Sequence, residues 1–173
     1  MVAARDVLHD RVHGRADEEQ PDPGGDQEGH PDAVVLDALA RRVPVRGDRR
    51  EAIFRDEKDR WIFLDTLAQM CERTGHLVHS YVLMPNHYHL LVETPEPNLV
   101  AGMKWFQGTY TQRFNRRHDV QGHLFQGRYK ALPVDGADPE YFRKVSDYIH
   151  LNPIRAGLLG AARADLRAYR WCS

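Results

Sequence analysis

The run Leu77-Val78-His79-Ser80-Tyr81-Val82-Leu83-Met84-Pro85-Asn86-His87-Tyr88-His89-Leu90-Leu91-Val92-Glu93 decides how the chain reads. Leu77, Val78, Tyr81, Val82 and Leu83 are β-prone and stop at Met84-Pro85-Asn86, where proline and asparagine signal a turn. His87 to Glu93 then reads as a second strand, and so short a connection predicts an antiparallel hairpin. In a strand, residues two apart project to one face, so His87 and His89 point the same way and Tyr88 the other.

Helices flank this hairpin. Upstream, Trp61, Leu64, Leu67, Ala68 and Cys71 recur at helical spacing between Asp56 and Thr74, and Gly75 is a natural stop. Downstream, Asn98 is the expected N-cap of a helix to about Arg117. It places Met103, Phe106, Tyr110 and Phe114 on one side and Lys104, Arg113 and Arg117 towards solvent. After a glycine-containing loop, Tyr129 to Val134 reads as a strand. Asp138-Pro139-Glu140 opens a last helix from Tyr141 to about Leu151, closed or kinked by Asn152-Pro153. With one further strand upstream the order is βαββαβ. The expected fold class is therefore α+β, ferredoxin-like, with helices on one face of an antiparallel sheet.

The rest of the chain is read more coarsely. At 173 residues with 42% hydrophobic content, one domain with a real core is expected. No apolar run suits a bilayer and no signal segment is visible, so a cytoplasmic protein is expected. Cys71 and Cys172 read as free thiols. Residues 1–33 are rich in Asp, Glu, Gly and Pro and read as disordered. Residues 34–46 are ambiguous between a short helix and a remnant first strand, 47–160 form the domain, and 161–173 read as a short, truncated tail. The net charge of −1 conceals a basic stretch between Asn98 and Lys130, with Lys104, Arg113, Arg116, Arg117, Arg128 and Lys130 against Asp119.

Three constellations carry chemistry. Two imidazoles on one strand face are half of a metal site, although among ten histidines such a pair also arises without function. Tyr148 and Asn152 share a helix face one turn apart, where Asn can add an oxygen ligand; a core tyrosine is the plain alternative. From Lys104 to Lys130 cations alternate with Trp105, Phe106, Tyr110, Phe114, Phe125 and Tyr129, a composition that suits phosphates and unpaired bases but also an ordinary amphipathic helix.

In this order the three are more specific. Tyr81-Val82-Leu83-Met84-Pro85-Asn86-His87-Tyr88-His89-Leu90-Leu91-Val92 closely resembles the HUH strand (His, hydrophobic, His) of single-tyrosine transposases. Gly122-His123-Leu124-Phe125-Gln126-Gly127-Arg128-Tyr129-Lys130 and Tyr148-Ile149-His150-Leu151-Asn152-Pro153-Ile154-Arg155-Ala156-Gly157 resemble further segments of the same superfamily. It is the insertion sequence 200-like group, in its REP-associated branch, and the likeness spans residues 47–159. The resemblance implies metal ligands His87, His89 and Asn152 and a nucleophile Tyr148, with Tyr141 a distant second. It implies Mg²⁺ or Mn²⁺ as cofactor, single-stranded or hairpin DNA as partner, and a 5′-phosphotyrosine intermediate. Lys104, Arg113, Arg116, Arg117, Arg128, Tyr129 and Lys130 are the expected DNA contacts. A homodimer is compatible with this reading, and a membrane partner is not expected.

The chain departs from the family upstream of Gly47. The stretch matching the family's aromatic first strand, residues 39–46, contains Pro44 and lacks aromatics, so it makes a poor central strand. A shifted reading frame or displaced start upstream of Gly47 accounts for this, and it leaves activity open. Two rivals to an active strand transferase follow: a DNA-binding relative that no longer cleaves, and a metal-dependent phosphoesterase using His87, His89 and a carboxylate such as Glu93.

Overall fold

The computed structural model describes residues 52–125, 129–135, 138–159 and 169–173, together with the backbone of 33–39. All of the expected disordered segment 1–33 but its last residue, and all of the stretch 39–46 but its first, lie outside the described residues, as do residues 47–51.

Helix α1 (Glu57–Thr74) starts where the Asp56 carboxylate accepts the Asp59 N–H at 3.0 Å, and it ends at Gly75 with φ +74°. Strands β2 (Leu77–Met84) and β3 (His87–Glu93) form the expected hairpin, with Met84 opposite His87 across Pro85 and Asn86. Helix α2 (Leu99–His118) runs back along α1. Strand β4 (Lys130–Val134) precedes helix α3 (Pro139–His150), whose first turn donates two backbone N–H groups to Asp138. A short turn, α4 (Asn152–Arg155), follows.

The first strand, β1 (Ala33–Leu39), lies earlier than the family pattern suggested and is not residual. It occupies the middle of a four-stranded antiparallel sheet of order β2-β3-β1-β4, pairing with β3 and β4. A strand flanked on both sides uses its N–H groups in ladders, and the proline-free run Val34-Val35-Leu36 can supply them. The chain is thus the expected βαββαβ ferredoxin-like α+β fold.

The two helices of the βαββαβ unit share one face, as expected, and α3 adds a layer on the other. Tyr88, Leu90 and Val92 of β3 join Tyr81 and Leu83 of β2 beneath α1 and α2. There Phe63 lies 4.9 Å from the rings of Tyr88 and Phe106 and 5.1 Å from that of Tyr110. The alternate residues of the strands, Val82, Met84, Leu91 and Val134, cluster instead with Ile149 of α3. Phe142, Val145 and Ile149 recur at i, i+3 and i+7, so α3 has an apolar stripe that requires a second apolar surface, and the far face of the sheet is that surface.

One side chain does other work than expected. Asn98 sits at the N-cap position of α2, but its carboxamide oxygen meets His76 Nε2 at 2.6 Å and its Nδ2 donates to the Thr74 carbonyl. The last residues also dock. Leu83 N–H donates to the Trp171 carbonyl and Ser173 N–H to that of Tyr81, so the 169–173 segment covers the outer edge of β2.

Candidate active site

His87 and His89 project from the α3 face of β3, the parity of Leu91. Their ring centroids are 5.0 Å apart at an interplanar angle of 83°. Two imidazoles holding one ion at about 2.1 Å have centroids roughly 5 Å apart, so the pair fits a shared divalent cation. The His87 Nδ1 faces Asn86 Oδ1 at 2.8 Å, which makes Nδ1 the donor and Nε2 the ring nitrogen that could ligate.

The tyrosine arrives from the opposite layer. Ile149, fully buried, locks α3 onto the sheet, and the preceding residue therefore falls at the rim of that contact. Tyr148 is 49% exposed, and its ring centroid lies 6.5 Å from that of His89. Tyr141 is also exposed, but it lies two helical turns back, about 10 Å along the axis. Leu151 keeps helical angles (φ −78°, ψ −8°), carrying Asn152 on from α3. There Asn152 Nδ2 donates to the carbonyls of Tyr148 and Ile149, at 2.9 and 3.2 Å, leaving its Oδ1 as the atom able to ligate. The helix is further tied by His150, whose Nε2 meets Ser173 Oγ at 2.8 Å.

Sequence reasoning missed Arg155. Its guanidinium carbon lies 4.7 Å from the centroid of the Tyr148 ring. Its seven-residue spacing from Tyr148 was no guide, because α3 ends at His150 and Asn152-Pro153 opens a separate turn, so the contact emerges only in the folded chain.

The expected DNA contacts divide. Lys104 and Arg116 are exposed on α2, beneath the opposite face of the sheet from Tyr148. Arg113 is not directed simply to solvent: it donates to Thr66 Oγ1 at 2.7 Å and Gln69 Oε1 at 2.8 Å on α1. Arg117 likewise binds Asp56 and the buried Asp59, which His118 also meets at 2.9 Å. The Arg117 guanidinium holds the Asp56 carboxyl down at about 2. These arginines therefore clamp α1 to α2. Tyr129 packs at the margin of the main core, and Arg128 lies outside the described residues. Lys130 differs: His89 pairs with Asp37 and Asp37 with Lys130, so all three backbones stand in one row across the sheet. Glu93, the carboxylate a phosphoesterase would need, lies four residues from His89, about 13 Å along the strand, and is bound by His79 at 2.8 Å. Among the described residues no three His, Cys, Asp or Glu side chains are grouped to hold a metal. No helix among the described residues is long and apolar enough to cross a membrane.

Comparison with known proteins agrees with this fold. A search of curated proteins finds no match. Among solved structures the chain is similar to a REP-associated tyrosine transposase bound to a REP hairpin, with a TM-score of 0.63 at 12% identity over 86% of this chain and 82% of that one. A candidate transposase from Deinococcus radiodurans R1 shows 18% identity over 74% of this chain and 95% of that one, with a TM-score of 0.48. At such identities the first likeness speaks for the fold. Residues 38–152 match the family model described as "Transposase IS200 like", which includes both histidines, Tyr148 and Asn152. The chain belongs to the IS200-like transposase family.

Proposed function

We propose that the protein cleaves and rejoins single-stranded DNA through a covalent 5′-phosphotyrosine on Tyr148. The observation that carries this reading is the meeting, on one face, of the His87–His89 pair and an accessible tyrosine ring 6.5 Å from His89. Both come from one chain, which supports action of Tyr148 on DNA held by its own histidines.

His87, His89 and Asn152 are the residues that would hold a divalent ion, Mg²⁺ or Mn²⁺, and such an ion supplies withdrawal of charge from the scissile phosphate. The chain's own groups do the rest. The Tyr148 oxygen attacks phosphorus in line, its proton passing to solvent, while the bond to the 3′ oxygen breaks and that oxygen leaves protonated as a 3′-OH. Because the phosphodiester is exchanged for a phosphotyrosine ester, a second 3′-OH can reverse the step and join strands. Ile149 in its apolar socket holds the nucleophile over the histidines, so α3 need not order when DNA arrives. The proposed substrate is single-stranded DNA beside a hairpin, of the REP type carried by the structural relative.

The test is a denaturing gel of labelled hairpin DNA with a single-stranded flank, incubated with protein and Mn²⁺. Wild type should form a denaturation-resistant adduct, and Tyr148→Phe should not. An adduct in Tyr148→Phe that disappears in Tyr141→Phe would transfer the role. Binding without an adduct in wild type would leave a DNA-binding relative.

A further inference from the structure

Beyond Tyr148 and the histidines, we infer that Arg155 is a substrate-contacting residue of this site, gripping the oxyanion of the phosphodiester that Tyr148 attacks. The inference rests on the strand-transfer reading above and adds to it a cation that no motif assigned.

Three observations place Arg155 in this role. Its guanidinium lies 4.7 Å from the centroid of the Tyr148 ring, on the nucleophile itself. Its backbone is fixed: Pro153 is buried, Arg155 N–H donates to the Leu151 carbonyl at 3.1 Å, and Ala156 N–H to that of Asn152 at 2.9 Å. Gly157, at φ +69°, then ends the turn. Finally, Arg155 is exposed and, among the described residues, forms no ion pair. Arg113, Arg117 and Arg170, by contrast, are engaged with side chains of α1 or its cap.

A guanidinium lying against an aromatic ring keeps its N–H edge available, and that edge matches two oxygens of a phosphate. An in-line attack brings phosphorus within roughly 3–3.5 Å of the phenolic oxygen. The phosphate thus enters beside the group on which Arg155 already rests. Arg155 stays protonated throughout: it donates N–H groups to the non-bridging oxygens while the O–P bond to Tyr148 forms and the P–O3′ bond breaks. Lys cannot reproduce this contact, having a point charge and no planar edge.

The experiment follows single-turnover adduct formation on the labelled hairpin with Mn²⁺ in wild type, Arg155→Lys and Arg155→Ala. DNA affinity is measured for each in a Tyr148→Phe background, and melting temperature checks the fold. Arg155→Ala should slow adduct formation by about 10²–10³-fold, the usual loss for one oxyanion donor, with DNA affinity changed only a few-fold. Arg155→Lys should fall between, and millimolar guanidinium should restore part of the Ala variant's rate. An Ala variant as fast as wild type overturns the inference alone. So does one slow only because it melts or binds DNA poorly, or one that guanidinium cannot rescue. Absence of adduct in wild type overturns the strand-transfer reading itself and Arg155's role with it.

Discussion

Helix α2 contains two glycines whose replacement by alanine should move stability in opposite directions. Alanine is favoured over glycine within a helix by about 1 kcal/mol. At Gly108 an added Cβ meets nothing within 4 Å, so that gain should appear in full. At Gly102 the same atom would lie 2.8 Å from His76 Cε1, 3.2 Å from Thr74 Cγ2 and 3.3 Å from Met70 Sδ. Carbon atoms prefer separations of about 3.5–4.0 Å. The buried His76 ring has little room to retreat, since Asn98 holds its Nε2 at 2.6 Å and Met70 Sδ stands 3.1 Å from its Nδ1. Overpacking of this kind costs about 1–3 kcal/mol, and weakening the His76–Asn98 bond adds about 0.5–1.5 kcal/mol. Subtracting the helix gain leaves Gly102→Ala destabilised by about 2 kcal/mol. For a chain of this size that is a melting temperature lower by roughly 4–8 °C, against a rise of about 2–4 °C for Gly108→Ala. Thermal unfolding followed by far-ultraviolet circular dichroism reads both. A Gly102→Ala protein melting at or above wild type would refute the claim that the His76 ring cannot yield.

Three further outcomes follow from the buried groups. Tyr110→Phe removes the hydroxyl that donates to the Ile53 carbonyl at 2.6 Å; leaving that buried acceptor unpaired should cost about 1–3 kcal/mol in urea unfolding. Burial holds the His76 imidazole below its ordinary value of 6.5, so the unfolded chain takes up the proton first. The stability His76 contributes is therefore full above 6.5 and lost as pH falls through the folded value, and His76→Gln should flatten the fall in urea midpoint between pH 7 and 5. The Cys71 thiol is pushed up to about 12 by burial, so iodoacetamide at pH 8 should modify the partly exposed Cys172 and spare Cys71 until the protein is denatured; mass spectrometry of the native protein showing two equivalents would contradict this.

The local elements were legible because local physics sets them. The β-prone runs on either side of Pro85 and Asn86 specified the hairpin, and the period of β3 the shared face of His87 and His89, whereas the register shift between Val78 and Ser80 was not legible. The Asp56 cap, the left-handed Gly75 and the Asp138-Pro139 start marked helix ends within two residues of those observed. Spacing put Tyr148 and Asn152 one turn apart, a relation the Asn152 bond to the Tyr148 carbonyl realises, but their roles came from the family resemblance alone.

Other features depended on partners remote in sequence. Ala33–Leu39 is an undistinguished apolar run, and only ladders on both sides make it the central strand. The stripe of Phe142, Val145 and Ile149 shows that α3 is amphipathic but does not tell which sheet face it covers; the apolar set Val82, Met84, Leu91 and Val134 decides that. Charge pattern alone sent Arg113 and Arg117 to solvent, whereas the proximity of α1 supplies Thr66, Gln69, Asp56 and Asp59 and turns them into clamps. The sequence by itself determined which residues could do chemistry and how each sits on its own strand or helix, because those relations act over a few residues. Bringing Tyr148 to His89 and Arg155 to Tyr148 was left to the tertiary structure, because the burial of Ile149 and the turn at Pro153 act between segments that the chain order separates or redirects.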